Sequence, residues 1–254
     1  MNSTQRYLLS SIYCNNLSLE ILQENNDNDS KGNEDSISIS TSASPAPATR
    51  AEMPFLSYLS RKLEFDSTLF ENELLNLEKE KLIEIKKNKQ IGRSTINKED
   101  EVFLTKRGRA EIKVVLVGGV FDLLHAGHIH TLKAAKLLGD VLIIVVATDA
   151  TVSNLRSNRK IFHNENSRLE LVSSIRFVDK AIIGRKTSIY DTVSFVRPDI
   201  IALGYDQSHD VKSMKKNCLE RGIDVEVVRL SSPIPELKSS AIKSELGSSF
   251  YDLQ

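Results

Sequence analysis

The stretch 113-KVVLVGGVFDLLHAGHIHTLKAAKLLGD-140 decides the fold. A short apolar run over 114–117 ends at a pair of glycines, and a helical pattern over 132–138 follows it. An apolar strand that leads directly into a helix is the unit from which parallel sheets are built. Between the two elements lie two histidines, separated by one alanine and one glycine. A core helix has no use for such a pair, so the junction is a candidate site.

The same unit recurs to the end of the chain. Further apolar runs are found over 141–147, 179–183, 199–203 and 225–228, and helical patterns are found near 165–177, 188–196 and 210–221, with a last helix near Ser240. Right-handed crossovers between such strands predict a doubly wound, Rossmann-like parallel sheet of about five strands. We therefore predict one α/β domain over 113–254.

The bulk composition excludes several classes of protein. The chain has 254 residues, with 34 Lys and Arg against 34 Asp and Glu, so net charge indicates no partner. Its two cysteines form no CxxC motif, which favours a reduced, cytoplasmic protein without a zinc framework. No apolar run approaches the roughly 18 residues of a membrane span, and the apolar patch at 7–13 lacks the features of a signal peptide.

The first 112 residues divide into two regions. Residues 1–50 are rich in Asn, Ser, Asp and Thr and end in SISISTSASPAPATR, so we predict a disordered tail and linker. Met53 is an alternative start. Over 51–112, two or three helices, a two-stranded ribbon and a short helix in LTKRGRAEI predict a small winged helix-turn-helix domain. Its near-balanced charge argues against strong DNA binding.

The chemistry of the junction follows from its position. Ligands bind such sheets at the carboxyl ends of the strands, where the strand order reverses. The amides around Val120, Phe121, Ala126 and Gly127, together with the positive end of the following helix, can cradle a phosphate. His125 and His128 can donate hydrogen bonds to a phosphoryl oxygen as its charge develops. A metal pair lacks a third nearby ligand, and an ordinary pair of surface histidines is the remaining alternative.

At these residues the chain resembles the HxGH nucleotidyltransferase superfamily, which includes cytidylyltransferases and small adenylyltransferases. The resemblance rests on VFDLLHAGH and covers residues 113–246. It implies an attack of an acceptor phosphate on the α-phosphorus of a nucleoside triphosphate, with Mg²⁺ as the expected cation. It also implies roles for further residues: Arg159 and Arg168 at the pyrophosphate, Asp206, Ser239 and Ser240 at the nucleotide, and Asp122 and Asp149 as supporting residues. The metal ligands stay unknown.

A narrower resemblance concerns the substrates. RPDIIALGYDQ is similar to archaeal FAD synthases, which transfer AMP from ATP to FMN. Cytidylyltransferases usually have Gly-Asp-Asp after this strand and a later Arg-Thr-x-Gly-Ile-Ser motif, where this chain has Gly-Tyr-Asp-Gln and Leu-Lys-Ser-Ser. We therefore expect ATP as a substrate and FMN, or another phosphate monoester, as the acceptor.

Two alternatives stay open at this point. One is a cytidylyltransferase that makes a CDP-alcohol from CTP and a polyol phosphate such as glycerol 3-phosphate. The other is a DNA-binding regulator that senses a nucleotide, which the winged helix motivates and the intact His-x-Gly-His pattern argues against. We expect no membrane partner, and a homodimer is a further alternative.

Overall fold

The chain folds into two compact units, Met1–Lys113 and Val114–Gln254. The structure is a computed structural model, and it describes residues 1–30, 55–63, 66–87, 96, 100–155, 161–185, 187–205 and 207–231. Within these ranges, each helix is too short or too polar to cross a bilayer.

The N-terminal unit contains helices and one small antiparallel sheet. Its elements are α1 (Ser3–Ser30), α2 (Phe55–Leu63), α3 (Ser67–Lys79), β1 (Ile83–Lys86), β2 (Glu101–Leu104) and α4 (Lys106–Ala110). Strands β1 and β2 pair antiparallel, with Ile83 opposite Leu104 and Lys86 opposite Glu101. Of the two or three helices predicted over 51–112, two are present in the described residues, together with the ribbon and the short final helix. Their assignment as a winged helix stays a prediction.

Helix α1 corrects the prediction of a disordered tail over residues 1–50. Residues 3–30 are helical, and the helix buries a row of apolar side chains: Leu8, Leu9, Ile12, Tyr13, Leu17 and Ile21. The side-chain amide of Asn16 donates to the carbonyl of Val102 at 2.9 Å and accepts from the amide of Leu104 at 3.1 Å, so it pairs with β2. The composition misled because the surface that covers these side chains lies far away in the sequence. The rest of that predicted tail, 31–50, lies outside the described residues.

The LTKRGR stretch has a local physical explanation. The hydroxyl of Thr105 accepts from the amide of Gly108 at 3.0 Å and caps α4. A Cβ atom added to Gly108 would lie 1.9 Å from the carbonyl oxygen of Leu82. The motif thus serves the close packing of α4 against the residue that precedes β1.

The C-terminal unit alternates strands with helices. Its elements are β3 (Val114–Gly119), α5 (Ala126–Lys136), β4 (Val141–Val146), α6 (Asp149–Leu155), α7 (Glu165–Ser173), β5 (Lys180–Ile183), α8 (Ile189–Val196), β6 (Ile200–Leu203), α9 (Val211–Leu219) and β7 (Glu226–Arg229). The five strands form one parallel sheet in the order β5-β4-β3-β6-β7. The predicted Rossmann-like α/β fold with about five strands is confirmed.

Two helices of this unit need comment: α6, and the helix predicted near Ser240. Helix α6 was not predicted, because its seven residues are too few to show a periodic pattern. Its start is set by Thr148, whose buried hydroxyl accepts from the amide of Thr151 at 3.0 Å. The helix predicted near Ser240 lies outside the described residues.

The order of the strands positions the site. From β3 the chain moves outward through β4 to β5, and it then returns to place β6 on the opposite side of β3. The strand order therefore reverses between β3 and β6. In open parallel sheets, ligands bind in the crevice beyond the carboxyl ends of the strands at this reversal.

Candidate active site

The loop after β3 is compact and its backbone is unusual. Phe121 has a φ of +55°, a left-handed conformation that bulky side chains rarely adopt. Its buried ring lies over Gly119, where an added Cβ would come within 2.7 Å of two ring atoms. Gly119 therefore makes room for the ring, and the strained Phe121 directs the chain toward α5. Strain of this kind is typical of functional sites.

The two histidines lie at the start of α5 and face each other. His125 is the N-cap residue of α5, and His128 lies in its first turn. Their ring centroids are 4.0 Å apart, and the His128 ring also lies 5.6 Å from the ring of Phe121. The structure thus brings both predicted histidines together at the carboxyl end of β3. Phe121, His128 and His125 form a short row of tilted rings.

A backbone contact orients the His128 ring. The amide of His125 donates to Nδ1 of His128 at 3.4 Å. An accepting Nδ1 assigns the proton of a neutral ring to Nε2. Nε2 is then a donor, and a donor is the group that a phosphoryl oxygen requires. Ala126 and buried Gly127 form the first turn of the same helix, where main-chain amides are available to an anion.

Asp122 links this loop to the segment before α7. Its side chain is buried, and its Oδ1 accepts from the amides of Phe162 and His163, each at 3.0 Å. His163 returns a contact, because its Nδ1 lies 2.9 Å from the carbonyl oxygen of Asp122. The carboxylate therefore joins the loop between β3 and α5, called the histidine loop below, to the segment that precedes α7. Asp122 therefore contacts main-chain groups of its own fold, and its predicted supporting role at a bound substrate stays a prediction.

Arg168 lies in α7 and has no exposed surface. Its Nη1 donates to the carbonyl of Val120 at 2.7 Å, its Nε donates to the carbonyl of His163 at 3.0 Å, and its Nη2 pairs with Oδ1 of Asp149 at 2.5 Å. The predicted direct contact between Arg168 and pyrophosphate does not agree with this burial. The physical reason is that all three guanidinium nitrogens are turned toward protein oxygens.

Asp149 is held from a second side. Its amide donates to the Glu165 carboxylate at 2.7 Å, and its Oδ2 accepts from the amide of Glu165 at 3.2 Å. This reciprocal pair joins the first residues of α6 and α7. Its supporting role at the site stays a prediction.

A second loop follows β6 on the other side of the reversal. The side-chain amide of Gln207 donates to the carbonyl of Gly118 at 2.6 Å, and its oxygen accepts from the amide of Gly204 at 3.1 Å. Arg229 at the end of β7 donates to the carbonyls of Gly204 and Gln207 at 2.9 Å each, and also to the carbonyl of His209. Gln207 thus links the ends of β3 and β6 at the mouth of the sheet.

Arg159, Asp206, Ser239 and Ser240 lie outside the described residues. Their proposed contacts with pyrophosphate and nucleotide stay predictions. Gln207, which follows Asp206 in the chain, contacts the carbonyl of Gly118 at the end of β3.

The sequence did not indicate His163, Gln207 or Arg229 as residues of the site. All three make side chain to main-chain contacts across 20 to 89 residues of sequence. Only the GYDQ motif contained a signal, since a polar residue directly after a buried strand of a parallel sheet lies at its mouth. Arg229 and His163 carried none, because a lone arginine and a lone histidine look alike whether they are solvated or bonded.

Comparison with known proteins assigns the class of this unit. A family model described as cytidylyltransferase-like matches residues 116–245. A FAD synthase of Picrophilus torridus is 46% identical over 127 residues, which cover 50% of this chain and 90% of that protein. A FAD synthase of Aciduliprofundum boonei is 50% identical over 116 residues, which cover 46% of this chain and 76% of that protein.

A solved structure is also similar. The lipopolysaccharide core biosynthesis protein of Thermoplasma volcanium is 45% identical, with a TM-score of 0.46, over 48% of this chain and 98% of that one.

A parallel sheet that presents a His-x-Gly-His pair at a helix N-terminus, beside the point where the strand order reverses, defines the C-terminal unit as a nucleotidyltransferase. The chain belongs to the cytidylyltransferase-like family.

Proposed function

We propose that the chain is an FMN adenylyltransferase, which makes FAD from ATP and FMN and releases pyrophosphate. The observation that carries the proposal is the 46–50% identity of the C-terminal unit to relatives named FAD synthase, over most of the length of those relatives. The family model's match over residues 116–245 includes the two histidines and the GYDQ loop of this chain. The chain also lacks the Gly-Asp-Asp and Arg-Thr-x-Gly-Ile-Ser motifs that are usual in cytidylyltransferases, which supports ATP over CTP as the nucleotide.

The geometry suits a direct displacement. A phosphate oxygen of FMN attacks the α-phosphorus of ATP in line, a new P–O bond forms, and the bond to the leaving pyrophosphate breaks. No covalent intermediate is needed. The Nε2–H of His128 donates to a phosphoryl oxygen as charge develops there, and His125 and the amides of the first turn of α5 add further donors. Catalysis then rests on positioning and on charge stabilisation.

A divalent cation is expected to arrive with the nucleotide. Among the residues that the structure describes, no group of three or more His, Cys, Asp or Glu side chains could hold a metal ion. Mg²⁺ in sites of this kind keeps several waters and is bound largely by the phosphates of the substrate. The phosphates of ATP would therefore supply most of its ligands, and the ion would neutralise charge on the triphosphate.

The role of the N-terminal unit is a separate question. DNA binding through a winged helix and a homodimer stay predictions.

The decisive experiment is a competition. The purified chain is given equal ATP and CTP with FMN and Mg²⁺, and the products are identified by mass. We expect FAD and pyrophosphate. A parallel reaction replaces FMN with glycerol 3-phosphate. Formation of a CDP-linked product there, without FAD in the first reaction, would move the protein to the cytidylyltransferase alternative.

A further inference from the structure

Arg168 is a buried charge whose contacts all lie around the site. A fully buried charged side chain is stable only where its hydrogen-bond donors are paired. Arg168 is fully buried, and each of its three guanidinium nitrogens donates to a protein oxygen. Its three partners come from three different segments: the loop after β3, the start of α6, and the segment before α7. Its neighbours Leu169 and Val172 on α7 belong to the apolar core, whereas Arg168 makes only polar contacts among those described above.

The contact with Val120 bears most directly on the chemistry. Val120 immediately precedes Phe121, whose left-handed conformation fixes the direction of the loop. A hydrogen bond of 2.7 Å to the Val120 carbonyl restrains the peptide that joins these two residues. The ring of Phe121 then contacts His128, with centroids 5.6 Å apart. Arg168 is therefore connected to His128 through one restrained peptide and one ring.

The other contacts keep Arg168 itself in place. Asp149 pairs with Nη2 and is held by its reciprocal hydrogen bonds with Glu165. The carbonyl of His163 accepts from Nε, and the amide of His163 is bound in turn by Asp122, which follows Phe121. The guanidinium is thus linked to the histidine loop twice, directly at Val120 and through His163 at Asp122.

We propose that Arg168 is a positioning residue for nucleotidyl transfer: it does not touch the nucleotide, and it sets the orientation of His128 through Val120 and Phe121. The inference rests on the proposed function for its kinetic consequence, but not for its structural one. A lysine cannot replace Arg168, because a single ammonium group cannot reach three oxygens in the directions of a planar guanidinium.

The kinetic test is a double-mutant cycle between Arg168→Lys and His128→Ala. Arg168→Lys should lower kcat by about 10²-fold, since small misplacements of reacting groups have effects of this size. KM for ATP should change little, because the lost interaction belongs to the transition state. In the double variant, Arg168→Lys should add almost nothing to the effect of His128→Ala. Additive effects, or normal turnover of Arg168→Lys, would overturn the inference.

A matched control and a rescue separate positioning from general damage. Arg176→Ala removes an exposed arginine just beyond α7 and should leave kcat unchanged. Arg168→Ala should regain activity when guanidinium ion is added at concentrations that do not unfold the protein, whereas methylammonium should not restore it. If Arg168→Ala does not fold, Arg168→Lys still decides the matter.

A second measurement does not depend on activity. The chain has five histidines, so each imidazole can be assigned by NMR from single His→Gln variants. In Arg168→Lys, the resonances of His128 should shift while those of exposed His130 and His209 stay in place. Unchanged His128 resonances, or shifts of all five, would overturn the inference. If the wild-type chain makes no product, the proposed function fails, and these resonances still decide the role of Arg168.

Discussion

Each of the two units holds a glycine against a neighbouring group, and the two groups differ in kind. In the N-terminal unit, Gly108 lies against the carbonyl of Leu82, so its missing side chain serves the packing of a short helix. In the C-terminal unit, Gly119 lies against the ring of Phe121, which in turn contacts His128. The comparison teaches that one residue type in a short motif indicates packing in one unit and support of a reactive group in the other.

The largest effect is expected at His128, whose ring is in contact with Phe121. His128→Ala should lower kcat for FAD formation by about 10²–10³-fold, the usual effect of removing one preorganised donor. The free energy of unfolding should hardly change, because the ring is only partly buried. His130→Ala, two residues along the same helix and exposed, is the control. Near-normal turnover of His128→Ala would show that Gly119 and Phe121 do not support a reactive group.

Gly108→Ala should act on stability alone. The new Cβ would lie 1.9 Å from a backbone oxygen, which cannot move away as a flexible side chain would. We expect a loss of about 3 kcal/mol in the free energy of unfolding of the N-terminal unit, at the upper end of the usual cost of overpacking. Denaturant unfolding followed by circular dichroism measures it. A parallel fall in kcat would contradict the separation of the two roles.

Gly119→Ala and Gly118→Ala form a matched pair at the end of β3. A Cβ on Gly119 would meet the Phe121 ring at 2.7 Å, whereas a Cβ on Gly118 meets nothing within 4 Å. Gly119→Ala should displace the ring and with it His128, and kcat should fall about tenfold, which corresponds to about 1.4 kcal/mol of transition-state stabilisation. Gly118→Ala should retain normal turnover. Equal effects of both substitutions would show that the ring does not position the histidine.

The smallest effect is expected from removing the N-terminal unit altogether. The chain divides at Lys113, and the five strands of the parallel sheet all follow that residue. A fragment of residues 111–254 should therefore fold and retain the kcat of the full chain, as steady-state kinetics would measure. If the fragment is insoluble while the full chain is soluble, the N-terminal unit contributes to the core or to an oligomer interface.

Helix α1 shows where composition failed as a guide. Its Asn and Ser residues favour turns and caps over helices when taken one at a time, and they predicted disorder. The helix forms because Leu8, Leu9 and Ile12 are buried and because Asn16 bonds to β2, 86 and 88 residues further along. Those partners are distant in sequence, so no local pattern reports them.

The sequence by itself determined the alternation of strands and helices, the place of the two histidines at the end of β3, and the class of chemistry. These features depend on local spacing, because a buried parallel strand is continuously apolar and the helix after it begins within a few residues. The tertiary structure alone decided what Arg168 does. An arginine has the same letter whether it meets a ligand or three oxygens of its own fold, and here those oxygens lie 5, 19 and 48 residues away. Only the folded chain brings them around one guanidinium.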